Sequence, residues 1–290
     1  MSLYLKNVSE FHKTFQHPVA NEPQNNIFTE KPDRVKLRLA LVLEEIEELQ
    51  DAVYEKKYTY PIDHTETEKM SRFIEVVDAC ADIVYVVAGM AIEFGLDFST
   101  QVDSSHAKPL MQYDKEADIR EDFESIYYNP VSTWDTLVEY KTICDKYNEI
   151  ENLCENKTIE GISEKLGEIV IACRNYLQYF GICLNTMFNE VHRSNMTKAS
   201  PTEEDAKASV EKIKKEGRYK EPYYEKSECG KFFILKDRTN GKILKDHKYE
   251  EPRLVTKISE AFAKTAIMKK QFADFCRGDT NFIAPDWDNY

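Results

Sequence analysis

Two acidic clusters hold the chemistry this chain could perform. The first is Glu44-Glu45-Ile46-Glu47-Glu48; the second is Glu75-Val76-Val77-Asp78, with Asp82 four residues on. Residues i and i+3 of a helix project from the same side, so Glu45 pairs with Glu48 and Glu75 with Asp78. Two such pairs facing each other would concentrate four carboxylates, which repel unless protonated or neutralised. A hard divalent cation neutralises them, and all-oxygen ligands select Mg²⁺ or Mn²⁺ over zinc. Mg²⁺ is usually shared with substrate phosphates, which puts a nucleotide or similar ester in the groove. Glu44 is then the spare acid that could orient or deprotonate an attacking water. Each cluster taken alone equally fits a solvated helix face. A di-iron carboxylate bundle fits poorly, because it requires Glu-x-x-His on two helices. None of the six histidines lies three residues after a glutamate.

The acids must be positioned by helices. A short amphipathic helix is expected over 4–16, through Tyr4, Val8, Phe11, His12 and Phe15, followed by a proline-marked loop over 17–32. Asp33 is the expected N-cap of a long helix running to about Glu55. Its stripe is Val35, Leu39, Val42, Ile46, Leu49 and Val53, at bundle-type spacing. Glu45 and Glu48 each precede a stripe residue and so flank the seam. After a break over 56–65 at Pro61, a second long helix is expected over 66–94 on Ile74, Val77, Ala81, Val84, Ala88 and Ala91. Here Glu75, Asp78 and Asp82 each follow a stripe residue. Antiparallel packing of the two helices would bring both acidic edges to one groove. Gly95 is the expected C-cap.

Residues 96–130 read as irregular and acidic. Helical pattern resumes over 132–156, 158–180 and 184–197, and the first two of these segments look like a decayed copy of the acidic hairpin. Glu45-Ile46-Glu47-Glu48-Leu49 lines up with Glu149-Ile150-Glu151-Asn152-Leu153, Asp82-Ile83-Val84 with Glu168-Ile169-Val170, and Phe94-Gly95-Leu96 with Phe180-Gly181-Ile182. In this register Glu48 becomes Asn152, Glu75 becomes Gly161 and Asp78 becomes Glu164, so one complete carboxylate set is expected, not two. Beyond 197 a helix is expected near 202–216. A β-hairpin is expected to turn at Asn240-Gly241 between Phe232–Leu235 and Ile243-Leu244, with a last helix over 252–276 and an irregular tail over 277–290.

Composition narrows the class. Few glycines and prolines, with little strand-like alternation, favour an all-α protein. A formal net charge of −13 argues against a nucleic-acid partner. The seven cysteines form no CxxC pair, which suits a reducing compartment, and Cys80, Cys144, Cys154 and Cys173 read as small buried apolar residues. No signal-like opening and no apolar run of about 20 residues occurs, so a cytoplasmic protein without a membrane partner is expected.

Leu43-Glu44-Glu45-Ile46-Glu47-Glu48-Leu49 and Glu75 through Tyr85 together resemble the all-α NTP pyrophosphohydrolase superfamily. This group includes MazG-type enzymes, dimeric dUTPases and phosphoribosyl-ATP pyrophosphohydrolase. Val8 through Pro18 is similar to the start of the MazG-like branch, and Phe188 through Lys198 to the segment that follows its second acidic helix. Tyr219-Lys220-Glu221-Pro222 and Tyr249-Glu250-Glu251-Pro252 resemble the Tyr-x-x-Pro near the end of such chains. The resemblance implies a helical bundle of MazG/dimeric dUTPase type, here with a small C-terminal β-hairpin appendage. It also implies Mg²⁺-dependent cleavage of a nucleoside triphosphate between the α and β phosphates. By position Glu45, Glu48, Glu75 and Asp78 would be metal ligands and Glu44 would position the water. Asp82, His192, Arg193, Asn195 and Lys198 would contact substrate.

The chain departs from this pattern in the long stretch between its second acidic helix and the His192-Arg193-Ser194-Asn195-Met196 segment. Duplication would explain it, with acids kept in one half and the basic segment in the other; a plain insertion is the alternative. Three parts are therefore expected: residues 1–130 carrying the acids, 131–200 as the degenerate half, and 201–290 as basic arm, hairpin and helix. The chain would be a monomer with an internal pseudo-dimer, or a homodimer. The expected substrate is a (deoxy)pyrimidine triphosphate such as dUTP, or a non-standard nucleotide. The other readings are phosphoribosyl-ATP hydrolysis and a catalytically degenerate helical protein that binds nucleotide or a protein partner.

Overall fold

The computed structural model describes residues 2–54, 66–105 and 134–264. The expected break at 56–65, most of the acidic stretch to 130, the later part of the last helix and the tail lie outside them.

Helix α1 (Leu3–Phe15) opens on Ser2, whose hydroxyl accepts from the Leu5 N–H, and ends at Gln16 in the left-handed region. A single turn, α2 (Ile27–Glu30), interrupts the expected loop. α3 spans Pro32–Tyr54. Pro32, not Asp33, opens the helix. Proline suits a first-turn position because the N–H it lacks would have no intrahelical partner there. Of the α3 stripe, Val35, Val42, Ile46, Leu49 and Val53 are buried.

α4 (Glu66–Phe94) is the central element. Val76, Val77, Cys80, Ala81, Ile83, Val84, Val87, Ala88, Met90 and Ala91, spread over about half its circumference, are sealed from solvent. Gly95 ends it at φ +70°, and any side chain there would strike the Glu22 carbonyl, 1.9 Å from an ideal Cβ. α3 and α4 run antiparallel. Arg34 and Arg38 at the start of α3 reach Glu93 near the end of α4. At the other end, Arg72 donates to the Ala52 and Val53 carbonyls at 2.6 and 2.5 Å.

A short α5 (Ser99–Ser104) follows, then α6 (Trp134–Glu155) and α7 (Ile162–Tyr179). These form a second antiparallel hairpin, since Asn175 donates to Glu139 and Lys146 pairs with Glu168. It packs against the first through α4 with α7 and α3 with α6. The Tyr147 hydroxyl donates across the join to the Leu39 carbonyl at 3.3 Å. α8 (Leu184–Met196) closes the bundle against α1 and α4. One apolar core runs through both hairpins and takes in Leu254 and Ile258 of a helix at 254–264. Cysteines 80, 144, 154, 173, 183 and 229 are free thiols.

The appendage holds α9 (Glu203–Glu216), capped by Thr202 and ended by Gly217 at φ +68°. The hairpin differs from expectation. β1 (Pro222–Lys226) pairs antiparallel with β2 (Phe233–Asp237), in the register Tyr224 to Leu235. The Asn240-Gly241 turn brings back only an isolated bridge between Lys236 and Ile243. Asp237 explains why. Its buried carboxylate accepts from the Thr239 N–H and hydroxyl, which winds the chain into a tight turn after β2 rather than a second long strand. Buried Asp246 staples the lobe together by accepting from Ser200 and Ser209. Phe15, Ala199 and Ile234 join the lobe to the bundle.

Candidate active site

A cavity of about 450 Å³ opens between α1, α3, α4, α8 and the segment 245–252. That is within the usual range for a small-molecule site. One face of α3 supplies Arg34, Arg38, Leu41 and Glu45, and one face of α4 supplies Asp78, Asp82 and Tyr85. Both sets repeat at steps of three or four residues, as a helix face requires.

Three of the expected acids meet here. Glu45, Asp78 and Asp82 line the cavity and make no ion pair among the described residues. Burial, then repulsion from Asp82, Glu48, Glu44 and Asp78, pushes the Glu45 carboxyl up to about 9. Burial and Glu48 raise Asp78 to about 6; burial and Asp78 raise Asp82 to about 7. Glu48 acts on all three through space but does not line the cavity. Glu44 is exposed on α3 and acts on Glu45. Glu75 is exposed one turn before Asp78 and does not line the cavity.

The residues present suit a metal ion of one kind. Asp78 Oδ1 is buried and lacks a hydrogen-bond partner, an unsatisfied acceptor among like charges. Among the described residues no three His, Cys, Asp or Glu side chains close around a point as a complete protein cage would. An oxygen-only, incomplete set fits Mg²⁺, which keeps waters and shares substrate phosphates, better than a caged metal. Glu45, Asp78 and Asp82 would hold it, with Glu48 alongside.

Opposite the acids stands Lys198, with its charge opposed by burial and its largest attraction to Asp82. Polar neighbours set its position. Lys198 Nζ donates to Asn195 Oδ1 at 2.6 Å. The Asn195 side chain also acts on the Tyr85 hydroxyl, countering part of the rise that burial imposes on it. That hydroxyl lies 3.1 Å from His192 Nδ1. His192 is therefore behind Tyr85 rather than in the cavity, and burial lowers its pKa. Arg193 turns elsewhere, to Glu190 and Glu250 at 2.7 and 2.8 Å.

Several lining residues are not evident from sequence. Arg34 and Arg38 share the face of α3 that carries Glu45, a legible signal overshadowed by the acids. His12 and His17 come from α1 and the turn after it. Lys245, Tyr249 and Glu251 are brought in by the appendage. Lys245 Nζ reaches Glu251 at 3.0 Å and sits 4.0 Å above the Tyr249 ring. The Ser194 hydroxyl lies 3.0 Å from the Tyr249 hydroxyl and donates to the Glu250 carbonyl at 2.8 Å, fastening this wall to α8.

A helical bundle with an acid-lined cavity faced by a lysine defines a class, and comparison with known proteins agrees with it. The family model of phosphoribosyl-ATP pyrophosphohydrolase matches residues 8–108, the stretch that carries Glu45, Asp78 and Asp82. That family belongs to the all-α, MazG-like NTP pyrophosphohydrolase superfamily, which residues 8–108 therefore match. Uncharacterized protein L479 of Acanthamoeba polyphaga mimivirus is 31% identical over 249 residues, covering 84% of this chain and 91% of that protein. No solved structure matches the chain. Among the described residues no helix is long and apolar enough to cross a membrane.

Proposed function

We propose that the chain is a Mg²⁺-dependent nucleotide pyrophosphohydrolase. Water adds to phosphorus, the α–β phosphoanhydride bond breaks, and a nucleoside monophosphate and pyrophosphate leave. The observation that carries this reading is the convergence of Glu45, Asp78 and Asp82 on one cavity, opposite Lys198. Bound there, the ion would supply charge neutralisation for the phosphates and a more acidic water. The chain's own groups do the rest. Lys198 binds a phosphate oxygen, held on line by Asn195 and Tyr85. Lys245 can exchange Glu251 for an outer phosphate. The wall at 249–252 narrows the cavity and limits bulk water. Glu44, exposed beside Glu45, would orient the water from the cavity mouth.

The substrate we favour is a (deoxy)pyrimidine triphosphate such as dUTP, or a non-standard nucleotide. The test is Mg²⁺-dependent pyrophosphate release across all common NTPs and dNTPs, with phosphoribosyl-ATP included because the matching family carries that description. Release that needs metal and is lost in Glu45→Gln is the expected result. No turnover of any member, together with identical Mn²⁺ binding by wild type and Glu45→Gln, would sink the enzyme reading and leave a non-catalytic helical protein.

A further inference from the structure

The end of the cavity remote from the acids has a different chemistry. Arg38 lies two helical turns before Glu45, about 10 Å along α3 at 1.5 Å per residue. Arg34 Nε donates to Glu93 Oε2 at 3.0 Å, while Arg34 and Arg38 share Oε1. Arg38 also donates to His12 Nε2 at 3.1 Å, and His12 Nδ1–H is committed to the Pro18 carbonyl at 2.8 Å. The acceptors of Glu93 and His12 are thereby taken.

Arg38 Nε–H is not. Its side chain is 7% exposed, it lines the cavity, and this N–H is buried without a partner. A buried donor left unpaired is costly, so an oxygen supplied by a ligand is its natural complement. Gly89 makes room for the arrangement: a Cβ there would lie 2.7 Å from Arg38 and 3.2 Å from His12. His17 faces Phe11 with ring planes 24° apart, which gives this end a flat aromatic wall. Burial, then the Arg38 charge, lowers His12 to about 3 and His17 to about 4, so both rings are neutral near pH 7. This end is therefore flat and rich in donors, with one ring nitrogen of neutral His17 as an acceptor.

We propose that the Arg38 end of the cavity is the subsite that reads the nucleobase. Arg38 Nε–H donates to the carbonyl oxygen at C4 of a pyrimidine, so uracil and thymine are favoured over cytosine and adenine, which carry an amino group at the corresponding position. This rests on the nucleotide reading of the acidic end. An amino group set against guanidinium N–H groups would leave donors facing donors, a penalty specific to the wrong base. A phosphoryl oxygen at the far end of a doubly phosphorylated substrate has the same acceptor chemistry, and the test separates the two.

The full chain is titrated calorimetrically, with Mg²⁺ present, against non-hydrolysable α,β-imido triphosphates of deoxyuridine, thymidine, deoxycytidine and deoxyadenosine. A fifth probe is α,β-imido ATP carrying a phosphoribosyl group on its base. The deoxyuridine and thymidine analogues should bind about 10- to 100-fold tighter than the deoxycytidine and deoxyadenosine analogues, the range of one hydrogen bond to a charged group. In Arg38→Lys and Gly89→Ala that ratio should fall to about threefold or less. Gly89→Ala keeps every charge and raises helix propensity, so it serves as the test if Arg38→Lys fails to fold.

Equal affinity for all bases, tighter binding of the amino bases, or an unchanged ratio in folded Gly89→Ala overturns the proposal. Tightest binding of the phosphoribosyl analogue also overturns it and assigns the donors to a phosphate. Hydrolysis without base preference would sink this subsite alone. Base-selective binding without any hydrolysis would sink the proposed reaction alone. No binding of any analogue would sink both.

Discussion

The two helical hairpins carry acids at corresponding positions and use them in opposite ways. In α6–α7, Glu149 and Glu168 stand where Glu45 and Asp82 stand in α3–α4. There Lys146 reaches both at 2.8 and 2.9 Å, and Lys165 reaches Glu168 and Glu149 at 3.2 and 3.4 Å. Lys146 holds Glu149 below the ordinary carboxylate range. Glu168 is also lowered, since the two lysines outweigh the opposing effect of its burial. In the same register those lysines correspond to Val42 and Ala79, both buried and apolar. Two apolar residues in place of two lysines thus separate a set of acids raised by burial and mutual repulsion from a set already neutralised. Asn152 and the helix-starting Gly161 complete the loss in the second hairpin.

The sharpest way to break this comparison is to remove the same group from each hairpin. Glu45→Gln should lower kcat/KM for pyrophosphate release by about 100-fold or more, the upper end for disrupted metal surroundings. Glu149→Gln should leave it unchanged. Comparable losses in both would mean that the second hairpin also serves the reaction.

Lys198→Met comes next. It should cost about 10- to 100-fold in kcat/KM, as expected for a charged hydrogen bond to phosphate. Asn195→Ala should act in the same direction but more weakly, because it frees Lys198 without removing it. Steady-state kinetics on the best substrate would order the two.

The pH dependence of stability gives a third handle. Glu45, Asp78 and Asp82 are raised in the folded state, to about 9, 6 and 7. The folded chain then holds protons that the unfolded chain has released. Their contribution is intact below the ordinary carboxylate range near pH 4 and is lost as pH rises toward 9. The melting temperature of metal-free protein should therefore fall across that window, and Mg²⁺ should restore it most at the alkaline end. Glu45→Gln should flatten the slope, whereas Glu149→Gln should not. The smallest effect belongs to Lys165→Met in the second hairpin, where half-buried ion pairs at the surface count for little. It should shift the melting temperature by only about 2 °C and leave turnover alone.

What the sequence revealed follows from how local each feature is. The long helices were legible because Val35, Val42, Ile46 and Leu49, or Val77, Ala81, Val84 and Ala88, encode one face by spacing alone. The same spacing put Glu45 and Asp78 beside the seam. It failed at Glu75, next to a stripe residue, Ile74, that is only half-buried near the start of α4. There the seam has widened, and a residue at its edge is in solvent. The hairpin was misplaced because Asn240-Gly241 carries a strong turn signature, whereas Ser227–Lys231 turns through Gly230 at φ +70° with a weaker one. Lys245, Tyr249 and His17 could not be placed, because their positions depend on how the lobe and the turn after α1 close over α3 and α4.

The enclosure of α4 by four other helices has a consequence for timing. Its amides in the sealed stretch can meet solvent only when much of the bundle opens, whereas the outer part of the wall, 247–252, lies beyond the buried staple at Asp246 and is held by side-chain hydrogen bonds and ion pairs. Asp78 and Asp82 thus belong to the slowest-opening part of the molecule, and Tyr249 and Glu251 to a faster one. Substrate entry and product escape can then proceed by loosening that outer strip, while the anionic floor keeps its shape from one turnover to the next.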